Sequence, residues 1–360
     1  MAKLNRFLAS RWGIISAGAV VGILAPILQK LGNPGNMGIC VACFERDIAG
    51  ALGLHRAAVV QYIRPEIPGF ILGALIAALI FGEFRPRSGS APIVRFFLGV
   101  FAMIGALVFL GCPWRALLRL AGGDWNAIVA LWGLSVGIGV GVLLLRRGYT
   151  LGRSYRAPAL LGWIMPGVAV VLLLMAILRP QFSEDGAIFF SESGPGSLHA
   201  PLSASLAAGA VIGVLAQRTR LCTMGAIRDV LLMGDTHLFG GVAAIVVFAF
   251  FANLILGQFD PGFVDQPVAH NNHLWNFGGM VLAGLAFALS GGCPGRQLFL
   301  AGEGDGDAGV FVLGMIAGAA LAHNFSWASS PAGPGAYGPA AVIIGLVACL
   351  AIGLSAGRRA

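Results

Sequence analysis

Hydrophobic positions along this chain run on without the polar interruptions of a surface helix. Apolar stretches long enough to cross about 30 Å of hydrocarbon fall near 12–31, 66–83, 94–111, 126–145, 158–178, 202–217, 238–257, 274–291, 307–323 and 338–356. The pattern predicts ten membrane spans. Between them lie four shorter stretches, near 38–54, 114–121, 222–235 and 295–302, too short or too polar to span. Broken helices at membrane depth are tolerated only where protein or a cavity surrounds them, so these four are expected to be short re-entrant helices. The predicted fold class is an all-α polytopic membrane protein.

Composition agrees with that reading. Hydrophobic residues make up 58% of the 360 and charged residues only 11%, against about 25% charged in soluble domains. The 54 glycines are roughly twice the average usage and fit close helix contacts and helix breaks in a bundle. The net charge of +8 rests almost wholly on arginine, since lysine occurs only at Lys3 and Lys30. These charges flank apolar runs and form no stripe for nucleic acid. The N-terminal Lys3, Arg6 and Arg11 with the apolar run behind them read as a retained first span, because no small-residue cleavage site follows.

With the N-terminus inside and each short stretch re-entering, the arginine-rich loops (Arg85, Arg87, Arg95; Arg146, Arg147, Arg153, Arg156; Arg358, Arg359) all fall inside. The acidic ones (Glu184, Asp185, Glu192; Asp260, Asp265) fall outside. The positive-inside rule then places both termini in the cytoplasm. Arg46, His55, Arg56 and Arg64 land on the outer side, either as snorkelling residues or as a positive funnel for an anion.

The two halves repeat. Cys40-Val-Ala-Cys-Phe-Glu-Arg46-Asp47 aligns with Cys222-Thr-Met-Gly-Ala-Ile-Arg228-Asp229, and Gly111-Cys112-Pro113-Trp-Arg115 with Gly292-Cys293-Pro294-Gly-Arg296. Asp124 and Asp305 keep the same register. Five spans per half is an odd number, so the second copy is expected to be inverted, an arrangement of transporters. The division is residues 1–180, an external linker 181–201, and residues 202–360.

Chemistry concentrates at four cysteines. Cys112 and Cys293 each precede a proline, which favours the first helical position, so their thiols should cap short helices whose N–H groups lack partners. Cys40 and Cys222 open the other two. Helix N-termini are anion sites, and a thiol is a soft, weak donor, suited to a conducted anion that must also leave. Arg46 with Asp47, and Arg228 with Asp229, either neutralise each other or attract and release the anion. Arg115 and Arg296, one turn past a cysteine, read the same way. Glu303, Asp305 and Asp307 read as a solvated acidic loop or a proton-coupling group, and Cys349 as a small buried hydrophobe. His323 and the pair His270 and His273 are unspecific. Cys43 makes a CxxC with Cys40, but its repeat counterpart is Gly225, and no second CxxC supports a zinc site. No P-loop, dinucleotide-binding, zinc-protease or serine-hydrolase pattern is present, and no cofactor is expected.

The run at 35–47, Gly-Asn-Met-Gly-Ile-Cys-Val-Ala-Cys-Phe-Glu-Arg-Asp, with Leu-Gly-Cys-Pro-Trp-Arg at 110–115 and the second-half motifs, resembles the YeeE/YedE sulfur-transport family, in its wording the YedE branch of selenium transporters. The resemblance implies an hourglass-shaped inverted repeat in the bacterial inner membrane. It implies uptake of thiosulfate or a related sulfur or selenium anion, passed inward along Cys40, Cys112, Cys222 and Cys293. A cytosolic sulfur-carrier or sulfurtransferase-like protein is the implied receiver. The extra Cys43, and Trp114 where the second half has Gly295, depart from the repeat pattern. Two other classes stay open: a membrane thiol redox or sulfurtransferase-type enzyme using Cys40 and Cys43, and a soft-metal permease.

Overall fold

A computed structural model describes residues 2–180 and 188–355. Glu184 and Asp185 of the acidic loop and the tail arginines Arg358 and Arg359 lie outside the described residues. In chain order the first half runs α1 (Ala2–Leu8), α2 (Arg11–Lys30), α3 (Val41–Ala51), α4 (Glu66–Ile80), α5 (Pro92–Phe109), α6 (Pro113–Gly122), α7 (Asn126–Arg146) and α8 (Ala159–Leu178). The second runs α9 (Leu202–Thr219), α10 (Thr223–Met233), α11 (His237–Leu256), α12 (His273–Ser290), α13 (Pro294–Gly302), α14 (Gly306–Asn324) and α15 (Gly338–Ser355). The extended segments β1 (Arg87–Ser88) and β2 (Tyr155–Arg156) form a two-residue antiparallel ribbon.

The protein is a multi-pass, all-helical membrane protein with nine stretches among the described residues long and apolar enough to span. Three of the nine, Pro92–Gly122, Leu202–Met233 and His273–Gly302, each contain a long helix, a break and a short helix. The tenth expected span is α4, whose 15 residues reach only about 22 Å. It begins at Glu66, whose carboxylate accepts from Asn33 and Ser205, and ends where Gly82 turns left-handed at φ +68°.

The breaks are made by single left-handed residues: Leu110 (φ 66°) after α5, Arg220 (φ 60°) after α9 and Gly291 (φ 85°) after α12. A left-handed leucine costs roughly 1–2 kcal/mol and needs support. Leu110 has it, because its carbonyl accepts from the Arg115 guanidinium one turn into α6.

Packing between the halves comes in matching sets. Helix α2 packs on α11 as α9 packs on α4; α7 packs on α12 as α14 packs on α5; α6 packs on α11 as α13 packs on α4. Helices α5 and α12 pack on each other at the centre. The last helix of each half departs from this: α8 lies against α4, α13 and α14, whereas α15 lies against α12, α5 and α7. Small residues set the separations, as expected where lipid gives helices no hydrophobic reason to associate. A Cβ on Gly69 of α4 would meet the Gly209 Cα of α9 at 2.9 Å, and one on Gly279 of α12 would meet the Gly105 carbonyl of α5 at 2.8 Å.

Candidate functional site

Each of the four cysteines caps a short helix. Cys40 takes the N-cap of α3 in an extended conformation, and its sulfur accepts from the Cys43 N–H at 3.2 Å. Cys222 repeats this on α10, accepting from Gly225 at 3.3 Å. Cys112 and Cys293 cap α6 and α13 with Pro113 and Pro294 at the first helical position, the geometry that the Cys-Pro pairs imply. All four are buried. They meet in two pairs, each joining two helix N-termini. The Cys222 and Cys293 sulfurs stand 3.6 Å apart, and the Cys222 sulfur also accepts from the Cys293 N–H. Cys40 and Cys112 lie side by side in the other pair. The Cys112 thiol stands beside the N–H groups of Arg115 and Ala42, as Cys293 stands beside those of Arg296 and Thr223.

Between the pairs lies an aromatic contact. Trp114, two residues past Cys112, packs against Phe70 of α4 and Phe299 of α13 with ring centroids 6.2 and 6.0 Å away. Its benzo edge reaches Gly295, two residues past Cys293: a Cβ on that glycine would be 3.6 Å from Trp114 Cζ2. One tryptophan crosses from α6 toward α13, and the matching position on α13 is left without a side chain. Cys43 has a role as well, since its sulfur accepts from Arg115 Nη1 at 3.7 Å. Arg115 further donates to the carbonyls of Asn36, Pro267 and Val268, tying α6 to loops of both halves through backbone rather than through a carboxylate.

Of the cations expected on the outer side, Arg46, His55 and Arg64 are buried rather than snorkelling or lining an open funnel, whereas Arg56 is exposed with its guanidinium over the Phe189 ring. Arg46 and Arg64 are buried and share Asp47, at 2.6 and 2.8 Å on its two oxygens. Arg64 also donates to the carbonyls of Pro195 and Leu198 and lies over the rings of Phe44 and Tyr62. His55 presents Nε2–H to the Arg46 carbonyl and accepts at Nδ1 from Ala57, so its ring is in the neutral Nε2–H form. Burial accordingly holds its pKa below the usual histidine range. His323 stacks on it at 4.4 Å. The counterpart pair, Arg228 and Asp229 at 2.8 Å, is more open to solvent. Nothing in the sequence spacing pointed to Arg64, which is seventeen residues from its partner.

At the other end Arg296 lies near both Cys222 and Cys293 and faces a pocket of about 240 Å³ lined by Glu83, Arg85, Arg87, Arg220, Arg296, Leu300 and Glu303. Here the solvated-loop reading of the acidic cluster is corrected. Glu303 is buried and takes Arg220 at 3.2 Å, Arg296 at 3.5 Å and Arg87 at 3.7 Å. Asp305 caps α14 and pairs with Arg87 at 2.8 Å. Asp307 is buried and accepts from the N–H groups of Gly89 and Ser90. Glu83 receives Arg218, Arg220 and Gln217 on one oxygen. Burial acts to raise its pKa, but these hydrogen bonds and charges outweigh it and hold the carboxyl below its ordinary value. The site thus has thiols deep in the protein and an arginine-rich pocket beyond them.

Residues 218–357, which hold Cys222, Cys293 and the Arg296 pocket's Glu303, match a family described as Sulphur transport. The chain is also 32% identical over 124 residues to a protein of Spirochaeta thermophila named Thiosulfate transporter TsuA. That match spans 34% of this chain and 37% of the relative's length.

Proposed function

We propose that this chain is a membrane transporter for a small sulfur-containing anion of the thiosulfate type. The carrying observation is the Cys222–Cys293 pair: two thiols 3.6 Å apart at two buried helix N-termini, with Arg296 between them and a charged pocket. The positive ends of such helices favour an anion, and the thiols offer soft, weak contacts to its sulfur. Weak contacts in series let an ion enter and leave. The similarity to a thiosulfate transporter supports this substrate over a cation.

The path runs along Cys40 and Cys112, then Cys293 and Cys222, with Arg46, Asp47, Arg115, Arg228, Asp229 and Arg296 as supporting charges. Residues 1–180 and 202–360 are two inverted copies joined by 181–201, and α3, α6, α10 and α13 are the re-entrant helices. The shared register of the motifs and the matched packing of α2 on α11 with α9 on α4 support that arrangement. The arginine-rich loops support a bacterial inner-membrane protein with both termini in the cytoplasm. The pocket at Arg296 then faces the cytosol, where a sulfur-carrier or sulfurtransferase-like protein would receive the substrate. A selenium-containing anion of similar size and softness is the related substrate.

The test is uptake of radiolabelled thiosulfate into proteoliposomes, with and without a proton gradient and with selenite as competitor. Saturable uptake supports the proposal. Its absence, together with a persulfide trapped on Cys40, would favour the thiol-enzyme reading, and uptake of a soft metal would favour a metal permease.

A further inference from the structure

Trp114 carries a polar group with no use in the fold. Its indole nitrogen is buried and has no hydrogen-bond partner among the described residues. Buried indole N–H groups usually find an acceptor, and an unsatisfied one costs the full desolvation of the group. Phenylalanine at this position would make the same ring contacts with Phe70 and Phe299 without that cost. The nitrogen lies on the same side of the ring system as Cζ2, the atom nearest Gly295, so the free N–H belongs to the gap between the Cys112-capped and Cys293-capped helices. A second unpartnered donor lies beside the Cys222–Cys293 pair. The Thr223 hydroxyl is buried and unbonded among the described residues; it directly follows Cys222, and its backbone stands beside the Cys293 thiol. Helix α10, which carries it, packs against α6.

Thiols and these two groups differ in kind. A thiol is a soft, weak donor, whereas an indole N–H and a hydroxyl are hard donors suited to oxygen. Resting on the transport reading above, we propose that Trp114 Nε1 and Thr223 Oγ1 form a midplane oxyanion site, which holds the oxygen end of the substrate while the cysteine thiols contact its terminal sulfur. The substrate class is then a two-ended anion, one soft chalcogen atom attached to an oxyanion group. Thiosulfate and its selenium analogue fit, and a bare hydrosulfide or hydroselenide does not.

The experiment compares thiosulfate uptake by wild-type, Trp114→Phe and Thr223→Val proteins in proteoliposomes, with melting temperatures measured in the absence of ligand. Losing one buried donor to a charged acceptor is expected to raise KM about ten- to a hundredfold in each variant, with the unliganded melting temperature held or raised. A wild-type KM in both variants overturns the site, as does a KM loss that only follows a fall in melting temperature. If Trp114→Phe does not accumulate, Thr223→Val alone carries the same two outcomes. A wild-type protein that takes up no thiosulfate overturns the transport reading and this site with it; normal wild-type uptake with unaffected variants overturns this site alone.

Discussion

Cys222 and Cys293 bring their sulfurs to 3.6 Å from the N-termini of two different short helices. That distance is well beyond a disulfide bond of about 2.05 Å, and both residues are free thiols. Each thiol therefore remains a donor and acceptor, and the Cys222 sulfur already takes the N–H groups of Gly225 and Cys293. Replacing Cys222 or Cys293 by alanine should lower thiosulfate uptake more than tenfold, while Cys349→Ala, in the buried face of α15, should leave it unchanged. Cys222→Ala also removes the acceptor for the Gly225 N–H, which should cost about 1 kcal/mol of stability. Uptake at the wild-type level by the Cys222→Ala, Cys293→Ala double variant would rule out a thiol path.

The two Arg–Asp motifs look alike in sequence but should respond differently to mutation. Asp47 is fully buried between Arg46 and Arg64, and removing one partner of a buried ion pair costs about 3–5 kcal/mol. The Arg228–Asp229 pair keeps 31% and 11% of its side-chain surfaces exposed, a setting in which ion pairs contribute about 1 kcal/mol or less. Asp47→Asn, which leaves two buried arginines without their carboxylate, should therefore lower the melting temperature in detergent by several times as much as Asp229→Asn. Equal shifts would mean that water reaches Asp47.

The thiol caps were legible because a Cys-Pro pair has a local meaning: the proline sets where the helix starts, and the repeat says it twice. The interrupted spans were legible for the same reason, as apolar runs followed by short polar-tinged ones. Other features depend on how helices dock. Trp114 and Gly295 break the repeat in sequence, yet they meet in space, where the Trp114 ring lies within contact distance of the Gly295 position. Glu303 sits in a glycine-rich acidic stretch that resembles a loop, and only its arrival beside Arg220, 83 residues earlier in the chain, makes it a buried ion-pair centre. Charge along a sequence indicates which side of a membrane a loop prefers; it does not identify the partner.

Close helix contacts predict a steep cost at the paired glycines. Gly69 and Gly209 let α4 and α9 approach until a Cβ on one would stand 2.9 Å from the other's Cα, with backbone rather than a movable side chain in the way. Gly209→Leu should force the two helices apart and sharply reduce the amount of protein that accumulates in the membrane. Gly167→Leu on α8, where nothing lies within 4 Å, should accumulate normally. The comparison is read from membrane-fraction yield and size-exclusion profile, and matching yields would show that the α4–α9 contact is not essential for assembly.

Glu83 gives the arginine pocket an acid limit. Burial acts to raise its pKa, yet the hydrogen bonds from Arg218 and Gln217 and the charges of Arg218 and Arg220 outweigh burial, so the folded value lies below the ordinary one. A carboxyl depressed in the folded state contributes stability above its unfolded pKa, about 4.3 for glutamate, and loses that contribution as pH falls through the folded value. The wild-type protein should therefore melt above Glu83→Gln at pH 7, and the gap should stay nearly constant down to about pH 5 and close at lower pH. Other carboxylates titrate over the same range in both proteins, so the difference between the two melting curves, rather than either curve alone, isolates Glu83. A gap that persists unchanged to about pH 3 would mean that the carboxylate's charge contributes nothing and that glutamine replaces its hydrogen bonds no better or worse at any pH. A gap that instead widens as pH falls from 7 toward about 5 would place the folded pKa above its ordinary value, with burial prevailing over the arginines.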